Sequence, residues 1–91
     1  MIFLEQQKFL LGEISVSAAA LRGLDVGTIC RAIDAHVCGE WGLLTGDDRA
    51  ENELALRIGG RLLSAFEAKG GVRFYVSTSA TVTTVFLADE H

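Results

Sequence analysis

The stretch that decides the fold spans residues 36–66 and reads HVCGEWGLLTGDDRAENELALRIGGRLLSAF. It carries the clearest helix start of the chain. Thr45 precedes Asp48 by three residues, the spacing at which an N-cap side chain and a carboxylate satisfy each other's free backbone amides. Asp48 and Glu51 repeat that spacing, so the sequence offers two starting points for one central helix.

The central helix is predicted to be amphipathic. Ala50, Leu54 and Ile58 recur at every fourth residue and form an apolar stripe that we expect to face the core. Gly59 follows this stripe and provides the left-handed residue that ends many helices. From Arg61 onward apolar and polar residues alternate, as they do in a strand. The stretch therefore joins a helical first half of the chain to a strand-rich second half.

Trp41, the only tryptophan of the chain, lies between two predicted helices. Apolar residues of both helices are available to pack against its indole ring. We therefore predict that Trp41 is a core anchor rather than a binding-site aromatic residue.

Composition indicates a single globular domain over residues 1–91, because 49% of the residues are apolar and there is no proline. No apolar run is long enough for a transmembrane helix, and the N-terminal MIFLEQQKF lacks the pattern of a signal peptide. Two cysteines in that context predict reduced thiols and a cytoplasmic location. A net charge of −4 disfavours nucleic acid as a partner and favours a protein, for example a basic one.

The remaining elements follow from local signals. A first strand is predicted at residues 9–16, where Gly12 indicates a bulge or a close neighbour. Ser17 is a good N-cap for a short helix at residues 18–22, and Asp25 is a good N-cap for a second helix that ends near Gly39. Three later strands are predicted at Arg61–Ala68, Val72–Thr78 and Thr81–Ala88.

This order predicts an α+β fold: a small two-layer domain with an N-terminal strand, two to three helices and a C-terminal antiparallel three-stranded meander. The segment 69–71 contains two glycines that permit the positive φ of a hairpin turn, and Ser79-Ala80 gives a weaker turn signal. The sequence leaves open whether the first strand joins the meander at its edge or at its centre.

No residue pattern predicts a catalytic, cofactor-binding or metal site. Cys30, His36 and Cys38 come nearest to a metal cluster, but the two cysteines lie two helical turns apart and a fourth ligand would have to be His91 or a carboxylate. A nucleophile pair of Cys38 and His36 would need an irregular backbone, because side chains two positions apart do not face each other on a helix. The glycine pairs match neither a P-loop nor a dinucleotide fingerprint. We therefore expect no cofactor.

One candidate surface for partner binding lies on the predicted meander. Arg73, Tyr75 and Ser77 share one face of their strand, with Thr81 and Thr83 as candidates to extend that face. Because the helices must cover the opposite face, these residues are predicted to remain uncovered. Tyr and Arg are enriched at binding hot spots. The alternative interpretation is a solvated face built from residues that favour strands.

A second candidate surface is the acidic start of the central helix, with Asp47, Asp48 and Glu51. These carboxylates also suit the positive end of a helix dipole, which is the structural alternative. Combined with His36, the acidic residues provide the competing hypothesis of a small hydrolase or nuclease.

The segments LLGEISVSAAALRGL, HVCGEWG, DDRAENELAL and GGRLLSAF together cover most of the chain and resemble a family of short plasmid- and prophage-borne bacterial proteins. Members of that family carry an LG-x-[IV]-x-[AS] strand, an HV-x-G-[DE]-WG element, a DR-x-x-N-x-x-AL segment, G-x-RLLSAY and a closing TTV-x-L. They are often labelled "plasmid-related protein" or "type I restriction endonuclease subunit M". The present sequence departs from the pattern at Ser79-Ala80-Thr81, where the family has an acidic-Ala-Asp-Arg turn.

The resemblance implies an accessory protein of a mobile genetic element, acting in the bacterial cytoplasm by binding another protein. A complex of host defence is the expected partner, which makes an anti-CRISPR or anti-restriction inhibitor the leading expectation. A component of a toxin–antitoxin pair is a neighbouring alternative. A second copy of the chain is a further candidate partner, and no membrane association is expected.

Overall fold

The computed structural model describes residues 7–90. The segment MIFLEQ, used in the signal-peptide argument, and His91, considered as a metal ligand, lie outside the described residues. Across residues 7–90, no helix is both long enough and apolar enough to cross a membrane. The elements in chain order are β1 (Glu13–Val16), α1 (Ala18–Gly23), α2 (Val26–Val37), α3 (Gly46–Ile58), β2 (Leu62–Glu67), β3 (Arg73–Ser79) and β4 (Val82–Leu87).

The strands form one four-stranded sheet in the order β1-β4-β3-β2. β2, β3 and β4 are antiparallel, which confirms the predicted meander and the α+β class. β1 lies at the edge of the sheet and pairs in parallel with β4, with Ile14 opposite Thr83 and Val16 opposite Val85. The N-terminal strand therefore extends the meander at its edge, which answers the question that the sequence left open.

The sequence predicted that the first strand begins at Phe9, but β1 begins at Glu13. Gly12 has a φ of +67°, and a Cβ atom at this position would lie 2.1 Å from the carbonyl oxygen of Thr81. The predicted close neighbour of Gly12 is therefore the turn between β3 and β4. Pairing starts at the next residue, where the amide of Glu13 donates to the same Thr81 oxygen at 2.8 Å.

The core lies between the helices α1 and α2 and one face of the sheet, called here the inner face. Its centre is Phe74, Val76 and Val85, each at most 1% exposed. Ala20 of α1 and Ala32 of α2 pack against them, and their small side chains let both helices approach the sheet closely. The alternation of β3 thus places its apolar residues inward, as predicted.

The first two helices begin where the sequence predicted. The hydroxyl of Ser17 accepts a hydrogen bond from the amide of Ala20 at 3.0 Å, and the carboxylate of Asp25 accepts one from Thr28 at 2.8 Å. The bonds to Thr28 lower the pKa of Asp25. Both N-caps satisfy amides that have no partner within their own helix.

α3 begins after the predicted N-cap residue Thr45, although the Thr45 side chain forms no capping hydrogen bond. The orientation of the helix differs from the prediction. The apolar stripe faces outward, since Leu54 is 50% and Ile58 is 73% exposed. The side chain that α3 buries is that of Asn52, which is 3% exposed. The stripe prediction was wrong because a sheet edge, rather than an apolar layer, lies beneath this helix.

That sheet edge belongs to β2. The side-chain Nδ2 of Asn52 donates to the carbonyl of Leu63 at 2.7 Å, and its Oδ1 accepts from the backbone amide of Leu63 at 3.0 Å. Two residues on, Ala65 donates to the carbonyl of Trp41 at 3.2 Å and accepts from the amide of Leu43 at 2.7 Å. α3 and the segment before it therefore satisfy the outward-facing backbone groups that an edge strand would otherwise expose.

Trp41 is 2% exposed, which confirms that it is a core residue. Its indole Nε1 donates to the carboxylate of Glu53 on α3 at 2.9 Å. The ring lies edge-on to His36 at a centroid distance of 5.9 Å and is stacked with Phe9 at 6.4 Å. Trp41 thus connects α2, α3 and the segment that precedes β1.

Candidate partner-binding face

The outer face of the sheet is the side turned away from α1 and α2. On β3 it presents Arg73, Tyr75 and Ser77, the three residues that the sequence predicted for one surface. Thr84 and Phe86 of the neighbouring strand β4 lie opposite Ser77 and Tyr75 in the register. Among these five residues only Arg73 is exposed, and the other four are half-buried.

The centre of the outer face is an aromatic pair. The rings of Tyr75 and Phe86 lie 5.5 Å apart with an angle of 50° between their planes. Ala65 of β2 lies on the other side of Tyr75 and is 8% exposed. The pair and its small neighbour form an apolar centre, with Ser77 and Thr84 adjacent as hydroxyl donors and acceptors.

Arg73 forms an ion pair across the strands at one end of the outer face. Its Nε atom lies 3.3 Å from a carboxylate oxygen of Glu67 on β2. The two side chains are 64% and 46% exposed, so solvent screens the pair and its contribution to stability is small. The guanidinium retains donors for a second acceptor, since it carries five N–H groups in all.

Two residues predicted to extend this face lie elsewhere. Thr83 is fully buried on the inner face, because its register partner is the inward-facing Thr78. Thr81 is exposed in the turn before β4 and belongs to neither face of the strand. The error arose at the turn, where Ala80 adopts a φ of +54° and β4 starts one residue later than predicted.

The acidic residues Asp47, Asp48 and Glu51 are exposed in the first turns of α3. α3 lies along the β2 edge, so these carboxylates form a surface separate from the centre of the outer face around Tyr75. The structure therefore places the two predicted binding surfaces on different sides of β2.

His36 is fully buried and lies within a chain of hydroxyl groups. Its Nδ1 atom is 2.6 Å from the hydroxyl of Ser64 and its Nε2 atom is 2.9 Å from that of Thr78. The chain continues at both ends: Ser64 is 3.1 Å from the carbonyl of Glu40, and Thr78 is 2.7 Å from Thr83, which donates to the carbonyl of Leu11 at 2.6 Å.

The hydroxyl chain holds one hydrogen atom fewer than its contacts need when His36 is neutral. The chain ends on the carbonyl oxygens of Glu40 and Leu11, which only accept hydrogen bonds. Each of its five contacts therefore needs its own hydrogen atom. The three hydroxyls supply three and a neutral imidazole supplies one, which leaves one contact without a hydrogen. A charged imidazole would complete the chain, but one hydrogen bond is worth about 1 kcal/mol, whereas burying an unpaired charge costs several kcal/mol.

Burial of the ring therefore keeps His36 neutral and lowers its pKa from 6.5 to about 4. In the neutral ring one nitrogen carries a hydrogen and donates to its hydroxyl, while the other nitrogen accepts from its hydroxyl. His36 acts here as a structural link between α2 and the sheet.

The hypothesis of a hydrolase that pairs His36 with the acids of α3 is not supported by this arrangement. Both ring nitrogens of His36 contact hydroxyls, and no solvent reaches the ring. Cys30 is exposed, whereas Cys38 is half-buried. Within residues 7–90 no three His, Cys, Asp or Glu side chains lie close enough together to hold a metal ion.

Sequence reasoning did not find the β4 half of the outer face, although the signal was present. The alternation of Thr84 with Phe86 would have placed both residues beside Tyr75 if the turn had been set one residue later. The hydroxyl chain had no such signal, because Ser64, Thr78 and Thr83 resemble ordinary surface residues of strands.

Comparison of the chain with protein-family models, with curated proteins and with solved structures finds no match.

Proposed function

We propose that this chain is a non-enzymatic binding module that holds a protein partner against the outer face of its sheet. The observation that carries the proposal is the pair Tyr75–Phe86 at the centre of a face that α1 and α2 do not cover. Aromatic residues at the centre of a patch, surrounded by polar residues, are typical of protein interfaces.

The surroundings of the pair support a protein rather than a nucleic acid as the partner. The nearest cation on this face, Arg73, is already paired with Glu67, and the chain has a net charge of −4. Single-stranded bases stack on aromatic side chains, but such binding also needs a positive groove along the phosphate backbone. A protein surface with an apolar centre and an acidic group near Arg73 meets the chemistry of this face better.

The resemblance to plasmid- and prophage-borne proteins supports a more specific proposal, in which the partner is a complex of host defence. An inhibitor of this kind has to bind its target and needs no reaction of its own. The proposal of an anti-CRISPR or anti-restriction role therefore depends on the binding proposal. The binding proposal, in contrast, stands even if the inhibitor role is disproved.

The binding proposal is tested with the purified chain as bait in a bacterial lysate, followed by measurement of the affinity of any captured protein. Arg73→Ala combined with Tyr75→Ala should weaken binding at least about tenfold, because it removes two hot-spot residue types from one patch. The matched control is Leu21→Ala with Arg22→Ala on α1, where both side chains are exposed. That control should leave the affinity unchanged.

Neutralising Asp47, Asp48 and Glu51 distinguishes the two surfaces. If binding survives the Arg73 and Tyr75 changes but is lost in the neutralised variant, the partner binds at α3 and the proposed face is wrong. The defence role has its own measurement, the plating efficiency of phage on a host with an active defence system. No change in plating, despite a captured partner, would remove the inhibitor role alone, and growth arrest on expression would favour a toxin.

A further inference from the structure

The outward side of α3 is apolar, and the rest of the described chain leaves it exposed. Leu54 and Ile58 are 50% and 73% exposed. Together with Leu44, Ala55 and Leu63 they line a groove of about 300 Å³ between α3 and β2. A surface helix normally turns such a stripe toward the core of its own domain. Because this helix buries a polar residue instead, the stripe is available to another molecule.

The two ends of the groove carry opposite charges. Asp48 and Glu51 line it near the start of α3, and Arg61 lines it just beyond the end of the helix. Arg57 is exposed in the last turn, next to Ile58. A uniformly charged partner would meet one end of like charge, which disfavours binding. A partner whose own charges run in the opposite direction would match both ends.

We propose that a second copy of this chain covers the groove, with the two α3 helices packed antiparallel about a two-fold axis close to Leu54. Such an axis brings the Asp48 end of one groove against the Arg61 end of the other, and symmetry repeats the match. The groove is thus complementary to itself in charge. This inference does not depend on the proposed function, since neither Tyr75 nor Phe86 lines the groove, although Leu63 of the groove lies beside Ser77 of the outer face.

The first test is the mass of the purified chain by sedimentation equilibrium. We expect a dimer of twice the 9.8 kDa chain mass. Ile58→Glu should weaken the dimer at least about tenfold, because it places two carboxylates in an apolar contact. Val26→Glu on α2 is the matched control, since Val26 is 71% exposed and lies outside the groove. It should remain dimeric.

The second test uses charge reversal. Asp48→Arg and Arg61→Glu each put like charges on both symmetry-related contacts, so each variant alone should dimerise at least about tenfold more weakly. An equal mixture of the two variants restores opposite charges at both contacts and should associate as well as the wild-type chain. Circular dichroism of each variant separates lost association from lost folding.

Three results would overturn the inference. The wild-type chain remains a monomer at millimolar concentration, or Ile58→Glu and Val26→Glu dimerise equally well, or the mixed variants fail to associate. If Ile58→Glu instead abolishes the binding of a different protein by a monomeric chain, the groove belongs to that protein and a second copy is not its occupant.

Discussion

At the scale of the residue, His36 shows how burial and hydrogen bonding oppose each other. A charged imidazole would complete the hydroxyl chain, yet no carboxylate of residues 7–90 contacts the ring to compensate the charge. The unfolded chain binds a proton at an ordinary histidine pKa of 6.5, while the folded protein takes it up only near pH 4. Stability is therefore full above pH 6.5 and falls as the pH drops toward 4.

We expect this histidine to remove about 2–3 kcal/mol of unfolding free energy between pH 7 and about pH 4.5. The measurement is urea unfolding at both pH values for the wild type and for His36→Gln, whose amide does not titrate. Carboxylates contribute equally to both proteins, so the difference between the two pH dependences isolates His36. Equal pH dependence in the two proteins would contradict the assignment. A nitrogen-15 NMR spectrum of the imidazole should show a neutral ring at pH 7.

Trp41 is the second residue whose role is fixed by its surroundings. Its side chain is large and only 2% exposed, and its ring contacts Phe9 before β1 and His36 on α2. Trp41→Ala should therefore cost about 3–5 kcal/mol, a large share of the stability of a small domain. The fluorescence of the wild type should be blue-shifted and protected from acrylamide. Free quenching in a folded protein would show that the indole is accessible.

At the scale of the element, α2 and α3 show when a sequence pattern suffices. α2 follows directly from its own residues, because the Asp25 cap and the apolar spacing after it point to the same helix. The position of α3 was also predicted, but its orientation was not. What orients α3 is the backbone of Leu63 on an edge strand, and no local pattern shows that an asparagine will bind it. The same reason explains β1, whose neighbour β4 is distant in sequence.

Two substitutions in α3 should have effects in the opposite order to that predicted by helix capping rules. Thr45→Ala removes an N-cap residue that forms no side-chain bond, so it should change the unfolding free energy by less than about 0.5 kcal/mol. Asn52→Leu leaves the amide and the carbonyl of Leu63 without partners and should cost about 2 kcal/mol. Thermal or urea unfolding of both variants provides the measurement. A Thr45 effect equal to or larger than the Asn52 effect would show that capping, not the edge contact, fixes α3.

At the scale of the whole molecule, the sheet has two different sides and one protected edge. The inner face forms the core with α1 and α2, and α3 covers the β2 edge rather than a face. The sequence predicted the two layers and the contribution of β3 to the outer face. It did not predict Phe86 beside Tyr75 or the outward stripe of α3, because both depend on contacts between elements that are apart in the chain.

The two proposed surfaces should act independently, because the aromatic pair lies on β3 and β4 while the groove lies between α3 and the edge strand β2. A complex of the wild-type chain with its partner should then contain two copies of the chain and two of the partner. Ile58→Glu should reduce this to one copy of each without changing the affinity measured for a single site. The Arg73 and Tyr75 double variant should show the reverse, a dimer that no longer binds. Light scattering of each complex distinguishes these compositions, and a variant that loses both dimerisation and partner binding would show that the two surfaces are one interface.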